Sequence, residues 1–447
     1  MRIFARSICT KSKKMIIKKN LALSLVAFAA VMMAAPASAQ DSNDNPSNLT
    51  SSPYTRYGFG RLGGVGNAST RALGNAGIAL RTNMYTNLYN PASLTAIDTL
   101  TMLFDTAVDA ELFTMSENGS RESDWNAGFS YLTFHFPLWN RFAGAIAYTP
   151  YSTVGYEYGG ESESPLENPL ITNDTLAQST TYTGNGGLQH FQLALAWNPI
   201  KTRTMQLNFG AKAGYICGTV SHTSTTVITP KSGSSKSINF SRSFSCQGWD
   251  LLLGTQFTRQ LKPGRSMTLG ATFAPRTHIG CDAENKTDST RTTSLSLSAP
   301  MKLGVGLCYQ EDRKLTASLE YSFENWANVP GLTPELTKAD DFYQNVHRVA
   351  AGLEYRPKQY SQNYFQTCTY RVGASAQNSY VKTYGKQKEM TASCGMGMPI
   401  GKRSTLNLSV GYTHMQSEKS GILKENYLHM TLGITFNEMM FYRSRLW

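Results

Sequence analysis

The chain has 447 residues, of which 41% are hydrophobic and only 16% charged, with 37 Gly, 23 Tyr and 20 Phe. A mean hydropathy of -0.31 excludes a polytopic helical membrane protein, and the charge deficit sets the chain apart from ordinary soluble domains, where about a quarter of residues are charged. The formal +12 at pH 7 points to a nucleic-acid binder only if the excess sits in the folded part.

It does not. Arg2, Arg6, Lys11, Lys13, Lys14, Lys18 and Lys19 precede an apolar stretch at 21–35 and then Ala37-Ser38-Ala39. That order predicts a secretory signal peptide over 1–39, cleaved before Gln40, with translation starting at Met1 or Met15. A retained anchor helix is the alternative, and it needs about 20 apolar residues. Cleavage removes seven basic and no acidic residues, which leaves 35 basic against 30 acidic and a mature charge of +5. No nucleic-acid partner is expected, and with no Cys at the cleavage point neither is a lipid anchor.

Residues 40–99 are rich in Gly and Asn and show no strand alternation. They contain Ser52-Pro53-Tyr54-Thr55-Arg56-Tyr57-Gly58, then Arg71 to Leu80 with Gly74 and Gly77, then Asn90-Pro91-Ala92. Gly58, Gly60 and Gly63 spell GxGxxG, but no strand precedes them and no βαβ unit surrounds them, so no nucleotide and no cofactor is expected. This stretch is predicted to be an amino-terminal plug.

From residue 100 the texture changes to period two. In 315–324 every odd position is apolar and every even one polar, and the same rule runs through 191–197, 207–215, 406–413 and 428–436. Fourteen such segments follow: 100–113, 125–138, 141–157, 188–199, 204–228, 235–259, 265–282, 291–309, 314–325, 346–356, 367–381, 387–400, 404–418 and 424–437. Even in number and mostly long enough to cross a bilayer when tilted, they predict an all-β fold, a 14-stranded antiparallel transmembrane outer-membrane β-barrel over 100–437 with a periplasmic tail at 438–447. The alternative, a soluble sandwich, does not favour so many strands above about ten residues. Links alternate in length: tight at 138–141, 199–203, 259–265, 309–314 and 400–403, moderate at 356–365, and long at 158–187 and 326–345. Short links belong to the periplasmic side of such barrels and long ones to the outside.

With apolar positions toward lipid, the opposite phase assigns Asp105, Asp109, Glu111, Lys212, Asp250, Lys302, Glu320, Glu324, Arg348, Glu354 and Arg371 to the lumen. Both signs occur, so these side chains either pair with one another and with the plug or select a substrate. Pro150, followed by Gly155, lies inside the third strand, where it removes a ladder donor; it marks a kink in the wall or an ordinary strand end at the membrane surface. The six mature cysteines Cys217, Cys246, Cys281, Cys308, Cys368 and Cys394 form no CxxC, which argues against a zinc cluster, and Cys217 and Cys246 face opposite sides of their strands. Among the seven histidines none sits in HExxH, and GxSxG is absent, so catalysis is not expected; His414 and His429, on the last two strands, are the pair to inspect.

The stretch from Arg71 through Asn90-Pro91-Ala92 resembles the plug, or hatch, of the long-chain fatty acid transporter (FadL/TodX-like) outer-membrane family, where a Gly-rich segment leads into Asn-Pro-Ala just before the barrel. The Ser52 to Gly58 opening and the Tyr427 to Tyr442 ending are similar to a Bacteroidota branch of that family, and they depart from its proteobacterial members. The resemblance implies a passive channel in the outer-membrane lipid bilayer. A hydrophobic small molecule such as a fatty acid would bind from outside, pass the hatch and leave sideways through the wall. The rival expectation is a non-transporting barrel that serves as a subunit of a larger assembly with other outer-membrane proteins. An apolar lumen with a mobile hatch fits the first, a lumen filled by paired charges the second.

Overall fold

The computed structural model describes residues 52–117, 120–165, 175–230, 235–286, 290–312, 314–329, 343–382, 387–400, 403–417 and 424–439. The expected signal peptide, the first residues of the expected plug and the tail past Met439 lie outside the described residues.

The alternating segments form β1 (Thr101–Glu117), β2 (Ser120–Trp139), β3 (Phe142–Pro165), β4 (Thr175–Lys201), β5 (Met205–Pro230) and β6 (Lys236–Lys262). Next come β7 (Arg265–Ala274 and Thr277–Lys286) and β8 (Thr290–Ala299 and Met301–Glu311), each interrupted once. β9 (Leu315–Asn325), β10 (Val346–Tyr355), β11 (Thr369–Asn378), β12 (Gln387–Ile400), β13 (Ser404–Ser417) and β14 (Lys424–Met439) complete the set. All neighbours are antiparallel, and β14 pairs with β1 from Lys424↔Ser116 to Met439↔Thr101, which closes a 14-stranded barrel and removes the sheet edges.

Alternation sorts the two faces as the pattern demands. On β9 Leu319 is 54% exposed while its neighbour Glu320 is 4% exposed. The outward row of apolar side chains is flanked by exposed Trp125, Trp139, Trp197 and Trp249, the placement of an aromatic girdle at a membrane interface.

Several boundaries differ from expectation. The stretch 158–187, read as a long link, largely continues the ladder: Glu157↔Thr183 through Pro165↔Thr175 extends the β3–β4 hairpin. The described residues of this stretch are mainly Thr, Ser, Gly, Tyr and Glu, without the apolar alternation by which the lipid-facing strands were read. β1 runs on to Glu117, β2 starts at Ser120 and β14 reaches Met439, while most of 326–345 falls outside the described residues. The tight links hold, with left-handed residues at Arg141, Gly264 and Asp312 (φ 73°, 79° and 46°) where the turns require them.

Cys246 bonds not to Cys217 but to Cys281, directly opposite it on β7. Replacing both by alanine should cost about 2–4 kcal/mol, read as a lower temperature for loss of the compact, unboiled gel band; an unchanged temperature would show that the bond is idle.

Residues 52–99 run through the barrel interior. Gly74 lies against Ala374 on β11, Ile78 against Gly270 on β7 and Gly304 on β8, Pro91 against Gly210 on β5, Ala72 against Gly395 on β12, and Ala68 against Gly433 on β14. Only a segment inside the lumen reaches all of these strands. Barrel glycines supply the room, since a side chain at any of them would collide with the segment.

Candidate functional site

Three capped turns give the interior segment its shape. Asn67 caps the helix Ala68–Arg71 by accepting from Thr70 N at 2.9 Å, and Asn90 caps the 3-10 turn Pro91–Ala96 by accepting from Ala92 N at 3.1 Å. Ser52 does the same for Pro53–Arg56. Asn90 is fully buried and also fastens the turn to the wall: its Nδ2 donates to Ile78 O at 2.9 Å and to Thr255 O on β6 at 3.0 Å. The Asn-Pro-Ala motif is thus a seat against β5 and β6. Gly74, at φ 66°, passes the β11 backbone too closely for a Cβ, and Gly77 lies under the Tyr89 ring.

Each of the eleven charges expected in the lumen has a partner. Within the wall, Lys302–Glu324 (2.9 Å), Arg348–Glu320 (2.7 Å), Arg371–Glu354 (2.7 Å) and His190–Asp250 (2.8 Å) pair. Toward the interior segment, Glu111 holds Arg61 at 2.6 Å and Asp109 holds Arg71, while Asp105 accepts from Asn67 Nδ2 at 3.2 Å and from Tyr131 at 3.0 Å. Lys212 donates to Leu88 O at 3.3 Å. Glu320 also accepts from Gly77 N and Ile78 N at 2.7 and 2.9 Å, and Arg348 reaches Gly74 O at 2.7 Å. Burial disfavours the Arg71 charge, but the Asp109 carboxylate beside it more than offsets this and raises its pKa. Burial pushes the Tyr89 hydroxyl up to about 12.

Removing one member of such a buried pair leaves the other uncompensated. Glu320→Ala, which also strands two amides of the interior segment, should therefore cost about 3–5 kcal/mol in a urea titration. The paired replacement Glu320→Gln with Arg348→Met should recover most of that loss; equal losses would mean that the pair contributes nothing beyond bulk.

Sequence reasoning missed the partners Arg61, Arg71, His190 and Glu425. Glu425 is fully buried and accepts from Ser52 Oγ at 2.7 Å and from Tyr427. The arginines alone carried a signal, being isolated cations in a Gly-rich stretch. His414 and His429 do not meet: His414 bonds Asn426 at 2.7 Å, and His429 bonds Glu111 at 2.7 Å inside the lumen.

A cavity of about 440 Å³ adjoins the segment, bordered by Arg61, Pro150, His190, Lys212, Asp250 and Tyr380. That volume is within the ~300–1,000 Å³ of small-molecule sites, and its lining mixes apolar with charged and polar side chains. Nearby, Phe59 of the segment packs with Trp326, just past β9, and with Tyr343 and Tyr380 in an apolar cluster, Phe59 and Trp326 being 3% and 0% exposed.

The wall beside this cavity is incomplete. The β2–β3 ladder runs only from Trp139↔Phe142 to Leu132↔Tyr148, although β2 continues alongside β1 to Ser120 and β3 alongside β4 to Pro165. The lapse begins next to Pro150, which has no N–H to give, and Tyr151 bulges between Pro150↔Gln189 and Ser152↔Leu188. Arg61 and Leu62 occupy the freed edge of β3 by pairing with Thr153 and Ser152, and Gly63 N donates to Tyr151 O at 2.8 Å. Gly155 N donates to Thr55 Oγ1 at 3.2 Å. Gly60 (φ 80°) and Gly63 approach β3 too closely for a side chain, which is the structural use of the GxGxxG spacing. A second cavity of about 240 Å³, lined on the wall side mostly from β1 and β12–β14, extends to Gly128, Phe129 and Pro150 at the gap and shares Arg61–Gly64 with the first.

A family model described as BamG matches residues 16–446. No curated protein matches the sequence. Among solved structures, a Pseudomonas aeruginosa FadL homologue superposes with a TM-score of 0.56 at 11% identity over 85% of this chain and 99% of its own. The CymD monoaromatic hydrocarbon channel gives 0.51 at 12% identity over 87% and 100%. The P. putida toluene transporter TodX gives 0.51 at 14% identity over 85% and 99%. The shared feature is the fold, that of outer-membrane barrels.

Proposed function

This chain belongs to the BamG family, and from the geometry of the barrel wall we propose that it is an outer-membrane channel for passive passage of hydrophobic compounds such as long-chain fatty acids, with residues 52–99 as its hatch and the β2–β3 gap as its lateral exit. The tight-turn end is then periplasmic and the long hairpins stand outside. The observation that carries the reading is the gap itself. A barrel needs every backbone group satisfied within the bilayer, yet here the ladder stops at Leu132↔Tyr148 and the vacated β3 edge is held by two residues of the interior segment. A closure that belongs to the hatch is one that hatch movement opens.

A second reading, a non-transporting subunit of a multi-protein outer-membrane assembly, is favoured by a different observation. The lumen is crossed by ion pairs, and its apolar cluster is filled by Phe59 and Trp326 of the chain itself. Purification in mild detergent followed by mass spectrometry of bound lipophiles and co-purifying proteins separates the two. Uptake predicts a retained acyl compound; stoichiometric protein partners with no lipophile overturn it.

A further inference from the structure

The wall has a second lapse, remote from the first. The β6–β7 ladder runs from Lys262↔Arg265 to Leu253↔Phe273, stops, and resumes from Gly248↔Ile279 to Ser241↔Lys286. Residues 249–252 of β6 have no register partner on β7, a length of roughly 13 Å at ~3.3 Å per residue. The cause lies in two prolines. Pro275 and Arg276 separate the two parts of β7, and Pro300 separates those of β8 at the same level, between Ala299↔Thr277 and Lys302↔Ala274. Neither proline donates to a ladder. The register beyond the lapse is also offset by one residue from that before it, and the Cys246–Cys281 bond pins that offset.

The 440 Å³ cavity reaches this place. It is bordered by Leu252 and Lys302 from the inward phase, and by Leu251 and Leu303 from the outward one, Leu303 being 44% exposed. The cavity thus borders residues of both phases at the lapse. Trp249, 67% exposed and packed against Tyr215 at 4.9 Å, marks the level as that of the aromatic girdle, with lipid-facing Leu253 and Phe273 on the periplasmic side of it. Exposed Arg276 stands at the rim, donating to Asn328 O.

We propose that the β6–β7 lapse is a second bilayer-facing portal, which admits the acyl chain of an anionic single-chain amphiphile between Leu251–Leu252 of β6 and Pro275 of β7 while its headgroup stays at the interface near Arg276. The ligand class rests on the reading of the barrel as a lipophile channel; the opening itself does not.

The test incorporates the full-length protein into phosphatidylcholine vesicles containing a diazirine-bearing palmitate, irradiates them, and maps adducts by mass spectrometry. Adducts are expected on the inward Leu252 as well as in the β2–β3 gap around Phe129. Pro275→Val with Pro300→Thr, which returns ladder donors, should cut the Leu252 adducts by about tenfold or more and leave those at Phe129 unchanged. If that pair fails to give a heat-modifiable barrel, Leu252→Trp, which fills the opening, should cut adducts on Pro275 and Ala299 instead. Adducts on Leu253 and Phe273 without Leu252 would mean that the chain runs along the outer surface, and would overturn the portal. Adducts at Phe129 alone would overturn it and leave the channel reading standing; adducts at neither place would overturn both.

Discussion

Gly210→Trp is expected to unseat the Asn90–Ala96 turn and turn a closed barrel into an ion-conducting one. A Cβ at Gly210 would overlap the Pro91 carbonyl carbon and the Ala92 nitrogen, backbone atoms that no rotamer change moves aside. Its register partner on β6 is Gly254, where a Cβ would strike the Asn90 amide, so the two opposed glycines form the flat patch on which the turn rests. Displacement breaks the Asn90 bonds to Ile78 and Thr255, and each buried polar group left unsatisfied costs about 1–3 kcal/mol. The Arg61–Glu111 and Arg71–Asp109 pairs tie the segment to β1, not to β5 or β6, and stay intact, so the segment swings away from β5 and β6 without leaving the barrel. Planar-bilayer recordings should show conductance rising by about tenfold or more, the loss of ~1.4 kcal/mol or more of closure. Gly160→Trp is the control, because a Cβ there meets nothing within 4 Å. A heat-modifiable Gly210→Trp barrel that conducts no better than Gly160→Trp would refute the idea that the Asn-Pro-Ala seat closes the lumen.

What the sequence disclosed and what it hid follow from the range of the physics involved. The strands within the bilayer were legible because lipid and lumen impose opposite chemistry on successive residues, so Leu319 and Glu320 announce their faces without any tertiary information. Where the strands leave the bilayer that contrast ends, and Tyr158 to Pro165 read as a link although they pair with β4. The inward charges were legible by the same phase, but their partners were not, since Arg61 meets Glu111 only after 50 residues of chain have folded back. The Cys246–Cys281 bond depends on a register offset created by the β7 break, which no spacing of cysteines encodes. Pro150 marked a disturbance in β3, but whether the ladder resumes beyond a proline is decided by the neighbouring strand. It resumes on the β4 side and not on the β2 side.

That one-sided lapse makes the second large effect. Leu62→Cys with Ser152→Cys, in a background where Cys217, Cys308, Cys368 and Cys394 are replaced by serine, should lock the interior segment to the β3 edge and abolish passage of a hydrophobic tracer. Leu62 and Ser152 are direct register partners, and because Gly63 N donates to Tyr151 O next to them they form a non-hydrogen-bonded pair, with Cα atoms about 4.5 Å apart, close enough for a disulfide. The barrel's own Cys246–Cys281 bond joins β6 and β7 in the same directly opposed way. Oxidation should lower the initial rate of uptake of a fluorescent fatty acid by vesicles or cells by about tenfold or more, and reduction should restore it. The matched pair Ser120→Cys with Glu117→Cys, across the β1–β2 hairpin, joins strands already paired and should leave the rate unchanged. Three results carry different meanings. A rate lost on oxidation and recovered on reduction means the route runs through the β2–β3 gap and needs Arg61–Leu62 to leave it. An undiminished rate with the bond formed eliminates this gap as the exit and leaves the lumen axis or the β6–β7 lapse to carry the tracer. No uptake in the parent protein removes the channel reading altogether, and the same locked and unlocked barrels then ask whether the gap is where a partner protein attaches.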